Sequence, residues 1–329
     1  MSIFDVLTLV FGLSLFLFGI NLMGNTIKDS AGNDLRSFLE HLTSNPYKGF
    51  LLGFLVTAII QSSSASTVMV VGFVNSGTMT LSQAIGVIMG ANVGTSVTAW
   101  ITALSGLEGG GTVGSLMQWF KPSVFTPIIS IIGLIFYMRG KNDKKRGIGT
   151  VLLGFSVLMI GMDTMSGAVS PLKENEVFRS ILLAFENPVL GVLAGMILTA
   201  IVQSSSASIG ILQSFTSTGA ITFGNSIPII MGQNIGTCIT ALLASVGGTI
   251  SAKRASLVHL LFNACGAIFG LVVFLLIKYV INPSFLSGGI DMWGIALIHT
   301  LFNLLTVGIV APFSSVLERT VCNLARSKK

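Results

Sequence analysis

The sequence predicts an all-α polytopic membrane protein of two inverted-topology repeats, each carrying a re-entrant helical hairpin and a discontinuous helix. Three observations predict it. Of the 329 residues, 52% are hydrophobic and only 9% charged, with a mean hydropathy of +0.87; soluble domains carry about 25% charged residues. The chain overlays itself when shifted by 142 residues. In both copies a polar block, Gln61-Ser62-Ser63-Ser64-Ala65-Ser66 and Gln203-Ser204-Ser205-Ser206-Ala207-Ser208, interrupts an apolar run.

The repeat extends well beyond the serine blocks. Asn45-Pro46 falls on Asn187-Pro188, and Thr57-Ala58-Ile59 on Thr199-Ala200-Ile201. Further along, Ile88-Met89-Gly90-Ala91-Asn92-Val93-Gly94-Thr95 falls on Ile230-Met231-Gly232-Gln233-Asn234-Ile235-Gly236-Thr237. Gapless matches of this length mark two homologous halves. They divide the chain into repeat 1, residues 1–146 with a hairpin at about 46–76, and repeat 2, residues 147–329 with a hairpin at about 188–218.

Residues 3–23 form the first spanning helix, at about 20 residues for a 30 Å hydrocarbon core. No basic segment precedes this run, so it reads as a retained helix and not a cleaved signal. Residues 30–44 place Ala31, Leu35, Phe38, Leu39 and Leu42 at helical spacing, which predicts a separate amphipathic helix at the interface. The apolar arms on either side of the first serine block are each too short to span the core. A single long helix with a polar belt is one reading. A hairpin tip buried in protein is favoured, because consecutive polar residues on one helix would also face lipid.

Residues 81–104 are interrupted by Asn92-Val93-Gly94-Thr95-Ser96, which predicts a discontinuous helix with free backbone groups. A Gly-rich loop follows at 105–118 and a spanning helix at 119–138. In the second half, 147–168 spans, 173–186 is amphipathic, 189–217 is the hairpin, 222–246 the discontinuous helix and 255–278 a span. One further helix, 291–313, has no sequence counterpart in the first half.

Charge placement fixes the expected orientation. With the N-terminus outside and each hairpin counted as no crossing, each half crosses three times and the second half is inverted. All Lys and Arg except Lys121, Lys173, Arg179 and Lys278 then lie on the cytoplasmic side, together with the C-terminus. The net charge of +6 is thus a topology signal, and it gives no reason to expect nucleic acid as a partner. Cys238, Cys265 and Cys322 are scattered, and no His/Cys/carboxylate cluster has metal-ligand spacing. No base stands near the serine blocks in sequence, so an enzyme is not expected.

The spanning runs hold no Lys or Arg away from their ends. An anion bound at the serine blocks must therefore be held by hydroxyls, amides and helix N-termini. A co-bound cation would compensate its charge, and neutral oxygen ligands suit Na⁺. Helix packing through small residues is the alternative for a single serine block; two identical blocks in two halves argue for a site. For Gly86, Gly90 and Gly94, spaced four apart, packing is the favoured role.

The paired Gln-Ser-Ser-Ser blocks, each followed by Met-Gly-x-Asn-[Val/Ile]-Gly-Thr, resemble the type II sodium–phosphate cotransporter family in its bacterial form. The resemblance covers nearly the whole chain. It implies Na⁺-coupled symport of inorganic phosphate across the cytoplasmic membrane by alternating access, with Na⁺ as coupling ion and no other cofactor. It casts Ser62, Ser63, Ser64, Ser204, Ser205 and Ser206 as phosphate ligands. Gln61, Ser66, Asn92, Thr95, Gln203, Ser208, Asn234 and Thr237 become sodium-site contributors. The family's His-x-x-Phe-Asn pattern stands at His259–Asn263 and His299–Asn303, accessory positions for which interhelical hydrogen bonding is the plainer role. Position 117, where His259 would map in the first half, is Met. Many bacterial relatives carry a soluble regulatory domain after the membrane part. This sequence ends at Lys329 without one, so regulation of that kind is expected to be absent or supplied by a partner in trans. Competing readings are a carrier or exporter of another oxyanion and, from another class, an ion channel or sensor.

Overall fold

A computed structural model of the chain describes residues 3–42, 46–108, 122–174, 176 and 185–325. Among these residues the structure is helical, with one isolated β-bridge between Thr222 and Gly289. The helices are α1 (Ile3–Leu42), α2 (Pro46–Ile60), α3 (Ser63–Asn75), α4 (Leu81–Ala103), α5 (Pro122–Arg139) and α6 (Asp143–Val169). They continue with α7 (Pro188–Val202), α8 (Ser205–Phe215), α9 (Phe223–Ala244), α10 (Ile250–Leu276), α11 (Met292–Val310) and α12 (Ser314–Leu324). Six runs among the described residues are long and apolar enough to cross a membrane: Ile3–Thr26, Leu81–Gly106, Asp143–Leu172, Phe223–Ala244, Ile250–Ile281 and Met292–Leu324. The protein is an integral membrane protein of the all-α class.

Sequence signals set the helix starts. Ser62 and Ser204 cap α3 and α8, each side chain accepting from the backbone N–H three residues on, Ala65 and Ala207. Thr80 and Thr222 close capping boxes at the starts of α4 and α9 with Gln83 and Asn225. Asn187 caps α7, with Pro188 at the first turn.

Close backbone contacts fix helix directions. A Cβ on Gly49 would lie 3.4 Å from the Gln83 carbonyl oxygen, one on Gly53 2.0 Å from that of Val87, and one on Gly94 2.8 Å from Thr57 Cβ. Residue numbers on α2 and α4 therefore rise together, and the two helices run parallel. Between them the chain must return, and α3 is the element that does so. Segment α2–α3 is thus a helical hairpin. The same order recurs in the second half: a Cβ on Gly191 would lie 3.0 Å from Pro228 Cβ, one on Gly195 2.0 Å from the Ile229 carbonyl oxygen, and one on Gly236 2.8 Å from Thr199 Cβ. Hence α7 runs parallel to α9 and α7–α8 is the second hairpin.

Helices α1 and α6 pack in the opposite sense. Gly12 meets Gly161 and Met165, while Gly19 meets Gly154 and Leu158. Numbers rise on one helix as they fall on the other, so the two are antiparallel. Gly12 and Gly19 are also the repeat mates of Gly154 and Gly161. Each contact is the other viewed from the opposite half.

Several expectations are corrected. Helices α4 and α9 are continuous through Asn92–Ser96 and Asn234–Cys238, so neither is discontinuous. The reason lies in their surroundings. Asn92 through Ser96 are all buried, and the Thr95 hydroxyl bonds the Ala91 carbonyl within its own helix. Polar side chains that face protein need no break in the backbone ladder. Residues 30–42 are also no separate amphipathic helix, since α1 runs unbroken from Ile3 to Leu42 with no proline within it, and 43–44 lie outside the described residues. The Gly-rich stretch 105–118 begins as a 3₁₀ turn, Leu104–Glu108, and its remainder lies outside the described residues. Most of 173–186 lies outside them as well.

The placement of α11 could not be read from the repeat. Although it lies in the second half of the sequence, it packs on α4 of the first. Its Asn303 amide donates to Ser96 Oγ on α4 at 3.2 Å, while Asn263 on α10 donates to Cys238 Sγ on α9 at 3.4 Å. Cys238 is the repeat mate of Ser96. Helix α11 thus stands to α4 as α10 stands to α9.

Candidate binding site

The two hairpin tips meet. Each tip turns at a glutamine in the left-handed region, Gln61 at φ 59° and Gln203 at φ 55°. Their N–H groups still bond back to Thr57 and Thr199, at 2.8 and 2.7 Å. The turn reverses the chain within one residue and starts the next helix at a serine cap. Non-glycine residues hold this conformation at a cost of about 1–2 kcal/mol, and such strain tends to cluster at sites. Just past each turn, Ser63 Oγ and Ser205 Oγ lie 3.0 Å apart, and both residues are buried.

The remaining members of the serine blocks take different roles. The side chains of Ser62 and Ser204 are the helix caps. Ser66 Oγ donates to the Ser62 carbonyl at 3.0 Å. Ser208 Oγ accepts from Thr199 Oγ1 at 2.7 Å, which ties the two arms of the second hairpin together. Ser206 is buried and Ser64 half-buried. Ser62 and Ser204 are half-buried and begin short helices, so N–H groups of two first turns open toward one region. Such ends favour an anion.

Among the described residues, the buried oxygens Thr57 Oγ1, Gln61 Oε1, Thr67 Oγ1 and Gln233 Oε1 lie around the tips with no hydrogen-bond partner. Gln61 donates its amide hydrogen to the Ala58 carbonyl, and Gln233 donates to the Ser208 carbonyl at 2.9 Å. Their oxygens are thereby left as acceptors, and buried acceptors of this kind are uncommon without a function. Gln233 and Thr57 were not among the sequence-derived site residues. For Gln233 a signal existed, because its repeat mate is Ala91 and the halves differ there.

A second polar cluster lies on the long helices. Asn92 Nδ2 donates toward Oδ1 of Asn263 at 2.8 Å, of Asn303 at 3.1 Å and of Asn234 at 3.4 Å. The structure thus brings both accessory asparagines to Asn92 and Asn234. His299 Nδ1 lies 3.0 Å from Ser96 Oγ, and His259 is buried on α10 with its carbonyl bonded by Asn263. Thr95 and Thr237 are not drawn into this cluster; their hydroxyls bond the carbonyls of Ala91 and Gln233. Gln213 on α8 donates to the carbonyls of Ala99 and Met292, at 2.9 and 3.1 Å, and so pins the second hairpin to α4 and α11.

The family model described as Na+/Pi-cotransporter matches the chain twice, over residues 15–167 and 158–299. The chain belongs to the Na⁺/Pi-cotransporter family. It is 33% identical over 252 residues to the uncharacterized protein YqeW of Bacillus subtilis, covering 76% of each chain. It is 25% identical over 327 residues to YjbB of Escherichia coli K12, whose name provisionally assigns inorganic phosphate export; 98% of this chain and 56% of YjbB are covered. To the rat sodium-dependent phosphate transport protein 2A it is 33% identical over 178 residues, 48% of this chain and 26% of that protein. The chain therefore spans about half the length of YjbB and a quarter of the rat protein. No solved structure shows a significant match.

Proposed function

We propose that the protein is a secondary active transporter that couples Na⁺ to inorganic phosphate through one central site at the paired hairpin tips. The observation that carries this reading is the Ser63–Ser205 contact at 3.0 Å, made by equivalent residues of two hairpins. Ser62, Ser63 and Ser64 with Ser204, Ser205 and Ser206 supply hydroxyls and two helix N-termini to the anion. Gln61, Ser66, Gln203 and Ser208 stand beside them as neutral oxygen ligands for Na⁺, joined by Thr57 and Gln233 with their unpartnered oxygens. Asn92, Thr95, Asn234 and Thr237 lie deeper, on α4 and α9. Anion and cation each raise the other's affinity, and that coupling is reciprocal.

Inverted halves are the architecture we infer for residues 1–146 and 147–329. The antiparallel packing of α1 on α6 supports it, as do the like-to-like contacts Ser63–Ser205 and Asn92–Asn234. All are expected of a two-fold axis lying in the membrane plane. The first hairpin then opens to the cytoplasm and the second to the outside, with both termini placed as the charge pattern requires. Such a carrier exposes its site by turns.

Net direction follows from the two gradients. A symporter loaded from inside runs outward, so the export name of YjbB and a cotransport mechanism are compatible. Phosphate flux into and out of proteoliposomes, with the Na⁺ gradient reversed between the two, tests both at once. Flux that ignores the Na⁺ gradient would leave a carrier without sodium coupling.

A further inference from the structure

We propose that the cleft between α2, α4, α11 and α12 is a binding site for a phospholipid with a primary-amine head group. The cleft has a volume of about 640 Å³, and its described lining includes no residue of the serine blocks. Binding there is independent of the ion the protein carries.

The lining changes character along its length. Met89 and Val307 line it, with Phe50 and Ile85, and these four are apolar. Ser82, Ser315 and Glu318 line it as well. The contacts of Ser96 with His299 and of Asn92 with Asn303 make α4 and α11 antiparallel. Carried one turn further, that register sets Met89 opposite Val307 and brings Ser82 to the side of α12. Met89 and Ser82 are seven residues apart on α4, about 10 Å along a helix. The cleft thus has an apolar inner end and a polar outer end. The outer end coincides with helix ends, since α2 starts at Pro46, α4 starts at Leu81 and α11 stops at Val310. In a membrane protein such ends mark the head-group level.

Helix α12 supplies the charge. Its Leu317 and Val321 are buried in an apolar cluster with Val70, Val71 and Ala252, which anchors the helix. The next residue after Leu317, Glu318, is half-buried and is the charged member of the lining. Among the described residues it has neither a hydrogen-bond nor an ion-pair partner. A lone carboxylate at this end repels an anionic head group and attracts an ammonium. The N–H groups of a primary ammonium can donate to that carboxylate and to the hydroxyls of Ser82 and Ser315. Lys48 and Arg319 are exposed and each adjoins a lining residue in sequence, Tyr47 and Glu318, so positive charge for the phosphate of the same head group stands at the same end. The inner end takes the start of an acyl chain. There a chain exchanges one hydrocarbon surrounding for another, so selectivity comes from the head group. Gly308 keeps the cleft open, because a Cβ built on it meets nothing within 4 Å.

The test is lipid retention by the purified full chain, stripped in detergent and offered phosphatidylethanolamine or phosphatidylglycerol with identical chains. Native mass spectrometry reads binding and the thermal midpoint reads stabilisation. Wild type should hold phosphatidylethanolamine about tenfold more tightly than phosphatidylglycerol and melt higher with it. Glu318→Gln keeps the shape and removes the charge, so that preference should vanish in a folded protein. Gly308→Phe fills open space, and should abolish the tight binding without lowering the midpoint of the stripped protein. Glycerophosphoethanolamine, the same head group without chains, should not compete. Equal retention of the two lipids by wild type overturns the site and leaves ordinary surrounding lipid. A preference that survives Glu318→Gln overturns it too, and this variant decides the matter if Gly308→Phe does not fold. Full competition by the chainless head group would make the cleft a soluble-amine site and overturn the lipid assignment.

Discussion

Ser63 and Ser205, separated by 142 residues of sequence, share a hydrogen bond of 3.0 Å in the buried centre of the protein. They are the same position of the repeat, on the first turns of α3 and α8. A phosphate that inserts between them replaces one hydroxyl–hydroxyl bond with bonds to an anion, which are roughly twice as strong.

Removing either hydroxyl should cut phosphate transport without unfolding the protein. Ser63→Ala and Ser205→Ala each lose one hydrogen bond, worth about 0.5–1.5 kcal/mol of stability. We expect uptake to fall at least tenfold in each, with the double variant little worse than either single one. Wild-type uptake in both single variants would remove the serines from the site.

The glutamine turns should separate stability from activity. Gln203→Gly relieves the left-handed backbone while loosening the unfolded chain, and these effects oppose each other within about 1 kcal/mol. The thermal midpoint should stay close to wild type while uptake drops. Loss of folding in Gln203→Gly would show that the side chain is structural.

The glycine contacts predict a different outcome. A Cβ at Gly90 meets the Phe50 carbonyl oxygen at 1.9 Å, and one at Gly232 meets that of Val192 at the same distance. Gly90→Ala and Gly232→Ala must push hairpin and helix apart, at about 1–3 kcal/mol each. Thermal melting should show both losses, whereas Gly72→Ala, with open space around it, should melt close to wild type.

Topology is tested by single cysteines in a Cys-free background. A thiol at Lys144 should react only with reagent reaching the cytoplasmic face, and one at Lys278 only from outside. Labelling of both from one side would contradict the inverted arrangement of the halves.

Much of this was legible in the sequence, and the part that was not has a physical reason. The hairpin tips could be read because a Gln-Ser-Ser-Ser block stops a short apolar run and supplies its own helix cap. The continuity of α4 and α9 could not. Asn92, Gly94 and Thr95 read as a break only on the assumption that the helix meets lipid, whereas here they meet protein. The meeting of Asn303 with Asn92 was hidden for another cause. It depends on α11 packing on the opposite half, a long-range contact that no local pattern encodes. Gln233 was hidden because the other site positions are marked by agreement between the halves, and at this one the halves differ.

The most direct measurement is radiolabelled phosphate uptake into proteoliposomes of the pure protein, comparing an inward Na⁺ gradient with an equal K⁺ gradient. Uptake above equilibrium with Na⁺ alone, abolished by Ser63→Ala, is expected of a Na⁺-coupled carrier with its site at the hairpin tips. Equal uptake under both gradients, or none under either from protein shown to be folded, would contradict it.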